Sequence, residues 1–157
     1  MLQQYKKIMV AVDGSAEAEL AFKKAVNVAL RNNGELLLAH VIDTRSFQTI
    51  SSFDGMLAEQ ATEMAKQTLA DYEATAKKAG VQTVSTVVEY GSPKHIIAKE
   101  IPEDHHVDLI LLGATGLNAV ERLFIGSVSE YVIRNATCDV LVVRTDTDNK
   151  LPVNEDN

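Results

Sequence analysis

The 157 residues include a single cysteine, Cys138, so no disulfide can form within the chain. Disulfide pairs are typical of oxidising compartments, and this sequence gives no reason to expect one. Cys138 stands just before an apolar stretch, where a small buried residue is the simplest interpretation. A redox-active thiol would need a cation or an imidazole beside it, and no neighbouring His or Lys supports that role.

Concentrated positive charge is also missing. The formal net charge is −7, and no run of Lys and Arg offers a local exception. Nucleic acids and acidic membranes are bound through basic faces, so the balance argues against both partners. No long apolar region follows the basic residues at 6–7, and no stretch approaches the ~20 apolar residues of a membrane span. These absences predict a cytoplasmic protein that neither enters a membrane nor binds nucleic acid.

Short apolar runs alternate with amphipathic stretches along the whole chain. This order predicts a three-layer α/β fold, with a five-stranded parallel sheet between helices on both faces. We expect one domain over residues 1–145 and a disordered acidic tail over 146–157. Residues 44–55 lack periodicity and are predicted to form a surface loop. The predicted strands are 8–12, 36–42, 83–90, 109–112 and 139–144.

Helix ends are predicted from capping residues. Ser15 is expected to be the N-cap of the first helix, and Gly34 its left-handed C-terminal residue. Ser92 and Pro93 begin a short helix that is expected to end near Pro102. If the strand order is 3-2-1-4-5, ligands should bind between the first and fourth strands, whose carboxyl ends are Asp13 and Gly113.

The glycine spacing after the fourth strand is the main functional signal, Gly113-x2-Gly116-x9-Gly126-Ser127. Glycines let a backbone approach a ligand closely, and the amides of Gly126 and Ser127 at a helix start favour phosphate, with the Ser127 and Ser129 hydroxyls as further donors. Capping alone is an alternative, because Ser127 and Glu130 have the spacing of a capping box. The stretch is not a P-loop, since no Gly-Lys-Ser/Thr follows the glycines.

Two charged residues accompany this stretch, each with two interpretations. Asp13 could accept hydrogen bonds from ribose hydroxyls or hold a metal-bound water, or it could cap the turn that starts the first helix. Arg122 could neutralise phosphate or remain solvated.

The histidines and serines predict no catalytic or metal centre. His105 and His106 are adjacent and cannot share a helix face, and no further soft ligand is near them. His95 is expected to be exposed. His40 lies near the presumed crevice, either hydrogen-bonded and partly buried or catalytic. Ser15, Ser127 and Ser129 have no paired His and acid at a recognisable spacing.

Taken together, these segments resemble the universal stress protein family, the UspA-like domain, from about Tyr5 to Arg144. The resemblance is carried by residues 7–15 (KIMVAVDGS), 38–42 (LAHVI), 91–93 (GSP), 108–113 (DLILLG), 126–132 (GSVSEYV) and 138–144 (CDVLVVR). It implies a Rossmann-like sheet of the adenine nucleotide alpha hydrolase type. The spacing of the glycines is that of the family's ATP-binding branch.

The resemblance also implies roles for individual residues. Asp13 would contact ribose and phosphate, and Mg²⁺ or Mn²⁺ would accompany the phosphates near this carboxylate. The implied nucleotide-binding set is Ala11, Val12, Asp13, Val41, Leu112, Gly113, Gly116, Arg122, Gly126, Ser127, Val128 and Ser129.

Family members commonly pair their last strands in a homodimer. Here that strand would be Val140, Leu141, Val142 and Val143, although many relatives have Pro in place of Asp139. The expected function is an ATP-binding stress-response sensor or regulator with slow or no hydrolysis. A nucleotide-free dimeric scaffold is the alternative. An adenylyl-transferring ligase or a receiver domain is disfavoured, because Asp13 is the only acid of its turn and no Ser-Gly-Gly loop follows the first strand.

Overall fold

A computed structural model describes residues 3–44, 54–114 and 125–144. Five parallel strands form one sheet in the order β3-β2-β1-β4-β5, as the sequence predicts. The predicted tail, 146–157, and nearly all of the predicted 44–55 loop lie outside the described residues. The strands are β1 (Lys7–Ala11), β2 (Glu35–Ile42), β3 (Val84–Tyr90), β4 (Leu109–Gly113) and β5 (Asp139–Val143). The helices are α1 (Ala16–Asn32), α2 (Asp54–Ala79), α3 (Pro93–His95), α4 (Ile101–His105) and α5 (Ser127–Asn135), with a π-helical segment (Ile96–Glu100) joining α3 to α4.

The central strands are buried on both faces, which explains their continuous apolar sequences. In β1, Ile8 and Val10 face a core formed with α1 and α2, whereas Met9 faces a second core formed with the π segment, α4 and α5. Successive side chains of a strand alternate between its two faces, so one apolar run supplies both cores. Within the described ranges, no helix is both long and apolar enough to cross a bilayer.

The first helix begins as predicted and ends differently. The Ser15 hydroxyl accepts a hydrogen bond from the Ala18 amide at 3.1 Å, as an N-cap should. Asn33, with φ of 53°, takes the left-handed position that the sequence assigned to Gly34. Gly34 is needed for space instead, because a Cβ there would lie 2.8 Å from the Tyr5 carbonyl oxygen. Asn tolerates the left-handed region, so glycine is not needed at position 33. It is needed at position 34, where the backbone passes close to Tyr5.

The third helical stretch runs past the predicted end at Pro102. Residues Ile96–Glu100 form a π-helical turn, and Ile101 donates its amide to the Ile96 carbonyl. Pro102 then falls in the first turn of α4, where its missing N–H is tolerated. The helix ends at His106, which has φ of 57°, four residues beyond the predicted end.

Cys138 is half-buried against the second core, in agreement with its interpretation as a small packing residue. Burial, and then the negative charges of Asp108 and Asp139, raise the pKa of its thiol. A raised pKa lowers the thiolate fraction near neutral pH, which disfavours redox chemistry at this position.

Candidate functional site

A cavity of about 530 Å³ opens at the carboxyl ends of β1 and β4. The connections after these two neighbouring strands lead to helices on opposite faces of the sheet, and this divergence opens the crevice. The volume lies within the range of small-molecule sites. The lining residues are Ala11, Val12, Asp13, Ser15, Glu17, Ala18, Ala39, His40, Val41, Pro93, Ile97, Leu112, Gly113, Gly126, Ser127, Val128 and Ser129.

All ten predicted site residues that the structure describes line this one cavity. Gly116 and Arg122 lie outside the described residues, and their predicted contacts with phosphate stay predictions. The fold thus joins three distant parts of the sequence: the turn after β1, the end of β2, and the segments on either side of the 115–124 stretch.

Asp13 is exposed and holds the turn that leads into α1. Its Oδ1 atom accepts a hydrogen bond from the Ser15 amide at 2.9 Å, the geometry of an aspartate turn. The capping interpretation of Asp13 is therefore correct. Because a carboxylate can accept several hydrogen bonds, this one leaves Asp13 able to face a ligand as well.

His40 contacts the backbone of the neighbouring strand. Its Nδ1 lies 2.7 Å from the Val12 carbonyl oxygen. A carbonyl can only accept, so Nδ1 carries the hydrogen in this contact. The partly buried, hydrogen-bonded interpretation of His40 holds, and the contact fixes the ring at the cavity wall.

The start of α5 differs from the predicted capping box. Gly126 is the N-cap and Ser127 the first helical residue, and Glu130 pairs with Arg134 at 3.0 Å. The Gly126 amide donates to the Ala114 carbonyl at 2.8 Å. That amide is therefore not free for phosphate, whereas the amides of Ser127, Val128 and Ser129 have no acceptor within the described ranges. Unpaired amides at a helix start are suited to an anion.

Two hydrogen bonds fix α5 beside the end of β4. One is the Gly126–Ala114 backbone bond, and the other runs from the Ser129 Oγ atom to the Gly113 carbonyl at 2.7 Å. Ser129 is buried and its hydroxyl hydrogen is used in this bond, so it is not the phosphate donor that the sequence suggested. The bond instead holds the unpaired amides at the cavity wall.

Gly113 is required because α1 passes close to it. A Cβ on Gly113 would lie 3.0 Å from the Glu17 Cβ and 3.3 Å from the Glu17 carbonyl carbon. The glycine spacing predicts that a ligand approaches Gly113, but its nearest neighbour in the structure is the first turn of α1. Gly113 therefore brings α1 against β4 and so shapes the cavity.

Several lining residues were not identified as site residues from the sequence. Ala39, Pro93 and Ile97 add apolar surface, and Glu17 adds a buried carboxylate. Glu17 could have been found from helical spacing, since it lies four residues before the buried Ala21. Pro93 and Ile97 come from a helix distant in sequence, and only the tertiary fold brings them to the cavity.

The charged side chains in the described lining of the cavity are all acidic. Its described lining contains Asp13 and Glu17 but no Lys or Arg. Across the described parts of the chain, no group of three or more His, Cys, Asp or Glu side chains could hold a metal ion unaided. The described lining therefore supplies no positively charged side chain to a polyanion.

Comparison with known proteins shows the same architecture across many sequences. A protein of Staphylococcus haemolyticus named "Putative universal stress protein" is 49% identical over 142 residues, covering 90% of this chain and 86% of its own. The solved structure of UspA from Lactobacillus plantarum is 33% identical with a TM-score of 0.80, covering 91% of this chain and 100% of its own. Hypothetical protein MJ0577 is 32% identical with a TM-score of 0.82, covering 92% and 99%.

The Universal stress protein family profile matches residues 4–144. This match spans all five strands and every residue that lines the cavity, including Gly113 and Gly126. The chain belongs to the universal stress protein family.

Proposed function

We propose that the cavity binds ATP together with Mg²⁺ or Mn²⁺, and that the protein is a cytoplasmic stress-response sensor or regulator. Hydrolysis is slow or absent in this proposal. The observation that carries it is a group of three backbone amides, those of Ser127, Val128 and Ser129, which line the cavity and have no acceptor among the described residues. Such amides, with the positive end of the helix dipole, bind phosphate oxygens.

The apolar residues of the cavity lining suit a flat base. They include Ala11, Ala39, Val41 and Ile97, and Ala39 and Ile97 are almost completely buried. Small apolar side chains leave room for a planar ring without offering charge to compete for it. The lining thus offers apolar surface for a base and backbone amides for phosphate, the two features that a nucleotide site needs.

Neighbours with the same fold support the choice of an adenine nucleotide. A universal stress protein has been solved in complex with cAMP, and one from Arabidopsis thaliana with AMP bound. These proteins are 24% and 22% identical to this chain, so the likeness concerns the fold. They establish that the fold can hold an adenine nucleotide, and the choice of ATP rests on the amides and the glycine spacing.

The lining residues favour binding over hydrolysis. Efficient phosphoryl transfer uses a Lys or Arg on the phosphates and a group that positions the nucleophile. The described lining has neither cation, and both Asp13 and His40 hold backbone hydrogen bonds. The site therefore has few of the groups that would accelerate attack on the γ-phosphate.

Calorimetry of the purified full chain tests the proposal. We expect MgATP to bind at one site per chain, with ADP remaining a minor product over hours of incubation. Mass spectrometry of the small molecules released on denaturation should identify an adenine nucleotide if the site is filled during expression. A heat signal no larger than that of buffer, with no released nucleotide, would favour the nucleotide-free scaffold.

We also propose that two chains pair through β5. In the described sheet β5 pairs with β4 alone, which leaves its other edge open. Leu141 is 36% exposed on that strand, and an apolar open edge favours pairing with a second chain. The charge of Asp139 need not oppose pairing of the two β5 strands, because its carboxylate already accepts a hydrogen bond from the Tyr5 hydroxyl of its own chain at 2.7 Å. Within the proposed Val140–Val143 contact, Val143 belongs to the first core, and Val140 and Val142 pack partly buried against the second, so Leu141 is the member that packs against neither.

Leu141→Lys should shift the protein from dimer to monomer in analytical ultracentrifugation. The substitution places a charge on the open edge, and lysine on edge strands opposes pairing. Ile133→Lys is the control, because Ile133 is also exposed but lies on α5. A Leu141→Lys protein that sediments as the unsubstituted chain does would overturn the β5 interface.

A further inference from the structure

Glu17 is a buried acid, and one of its carboxylate oxygens has no hydrogen-bond partner among the residues that the structure describes. The residue is 7% exposed, and its Oε2 atom is buried without a hydrogen-bond partner in the structure as described. The same residue lines the nucleotide-sized cavity. Glu19, two residues further along α1, is exposed, and its carboxylate lies 3.9 Å from the Lys23 ammonium group. The two acids of this first turn therefore differ, because Glu19 has a charged partner.

A buried carboxylate without a partner is unfavourable in isolation. Removing it from water costs several kcal/mol unless hydrogen bonds or an opposite charge replace the lost hydration. The position faces a cavity, so a ligand can supply what the chain does not. The chemical question is whether that ligand group is a cation or a hydrogen-bond donor.

Charge decides in favour of a cation. If the cavity holds ATP as proposed above, a bare phosphate chain and the Glu17 carboxylate repel each other. A divalent cation is attracted to both, and Mg²⁺ in proteins is held by one or two carboxylates together with phosphate oxygens. The described residues cannot hold a metal alone, so cation and nucleotide should bind together.

We propose that Glu17 binds the divalent cation of the nucleotide complex, directly or through a metal-bound water. The inference rests on the proposed ATP function and assigns the buried acid of α1 a part in it. The fit is one of donor chemistry, since Mg²⁺ and Mn²⁺ prefer oxygen ligands and a carboxylate oxygen is what the cavity offers. Glu17 would thereby make ATP affinity depend on the metal.

Glu17→Gln tests this inference, with Glu19→Gln as the matched control. Both substitutions remove one negative charge from the first turn of α1, but only the first alters the cavity. Calorimetry with ATP is done in Mg²⁺ and again in EDTA, and adenosine is titrated separately. We expect Glu17→Gln to lose at least about tenfold of the affinity gained from Mg²⁺, while metal-free ATP and adenosine bind no more weakly.

Electron paramagnetic resonance of Mn²⁺ gives a readout independent of affinity. In the unsubstituted chain, ATP should convert the free Mn²⁺ spectrum to a bound one, and Glu17→Gln should change that bound spectrum. Thermal unfolding without ligand should show Glu17→Gln to be at least as stable as the unsubstituted protein, because an amide is less costly to bury than an unpaired charge.

Three outcomes would overturn the inference. Equal dependence on Mg²⁺ in Glu17→Gln and the unsubstituted chain would remove the metal role while leaving ATP binding intact. An equal loss for adenosine would indicate a hydrogen bond to sugar or base instead. Failure of the unsubstituted chain to bind ATP would overturn the proposed function first, and this inference with it.

Discussion

Ser127→Pro should weaken ATP binding by roughly 10- to 150-fold while leaving the fold intact. The expected loss is one amide hydrogen bond to a charged phosphate, worth about 1.5–3 kcal/mol. The structure makes the substitution mild, because Ser127 is the first residue of α5, where Pro is favoured. Gly126 before it has φ of −61° and ψ of 156°, the extended conformation that precedes Pro most readily. Calorimetry with MgATP measures the change.

Ser127→Ala is the control for this experiment. It keeps the amide and removes only the exposed hydroxyl, so most of the ATP affinity should remain. The unfolding temperature of Ser127→Pro should be unchanged or higher, since proline fixes a conformation that the chain already has. Unaltered ATP affinity in a folded Ser127→Pro protein would show that α5 does not bind the phosphates through this amide.

Gly113→Val should destabilise the protein by about 1–3 kcal/mol or more, lowering the unfolding temperature by roughly 2–12 °C. The new side chain would meet the Glu17 Cβ and backbone, which belong to a helix and cannot move aside cheaply. Thermal and urea unfolding without nucleotide measure the effect. The cost is one of packing and should appear whether or not the protein binds ATP.

Gly55→Val is the matched control, because a Cβ at Gly55 meets no atom within 4 Å. Gly55 lies in α2, where valine is no worse a helix former than glycine, so stability should hold or rise slightly. Full stability of Gly113→Val would contradict the close packing of α1 on β4. Loss of ATP binding in Gly113→Val alone would be no proof of a phosphate contact, since the substitution alters the fold first.

The Ser127→Pro and Gly113→Val experiments test two parts of the same glycine motif, which the sequence alone does not tell apart. Gly113 and Gly126 both belong to the family spacing, but they serve different purposes in the structure. Gly113 allows a helix to approach a strand. Gly126 caps α5 with its amide already bonded to Ala114, which leaves the next three amides for an anion. The spacing of glycines alone does not distinguish a glycine that lets another helix pack closely from one that lies beside a ligand.

Local pattern was sufficient for the fold class and, once the strand order is given, for where the site lies. Runs such as Ile8–Val12 are apolar on both faces, which occurs where a parallel strand is covered by helices on either side. Strands alternating with helices restrict the connections to right-handed crossovers, and the site then follows from the point where strand order reverses. These properties depend on neighbours in sequence, so a sequence can display them.

The partners of individual groups depend on residues far apart in the chain. The Ser129 hydroxyl donates to the Gly113 carbonyl, Gly34 leaves room for the Tyr5 carbonyl, and a π-helical turn precedes Pro102. None of these contacts has a periodic signature, because each is set by how two elements pack. The sequence alone determined a parallel sheet of five strands alternating with helices and, given the strand order 3-2-1-4-5, a site at the carboxyl ends of β1 and β4. Only the tertiary structure decided which donors at that cavity lack an acceptor among the described residues, and that Glu17 lines it with an unpartnered oxygen, because the available partners belong to elements distant in sequence.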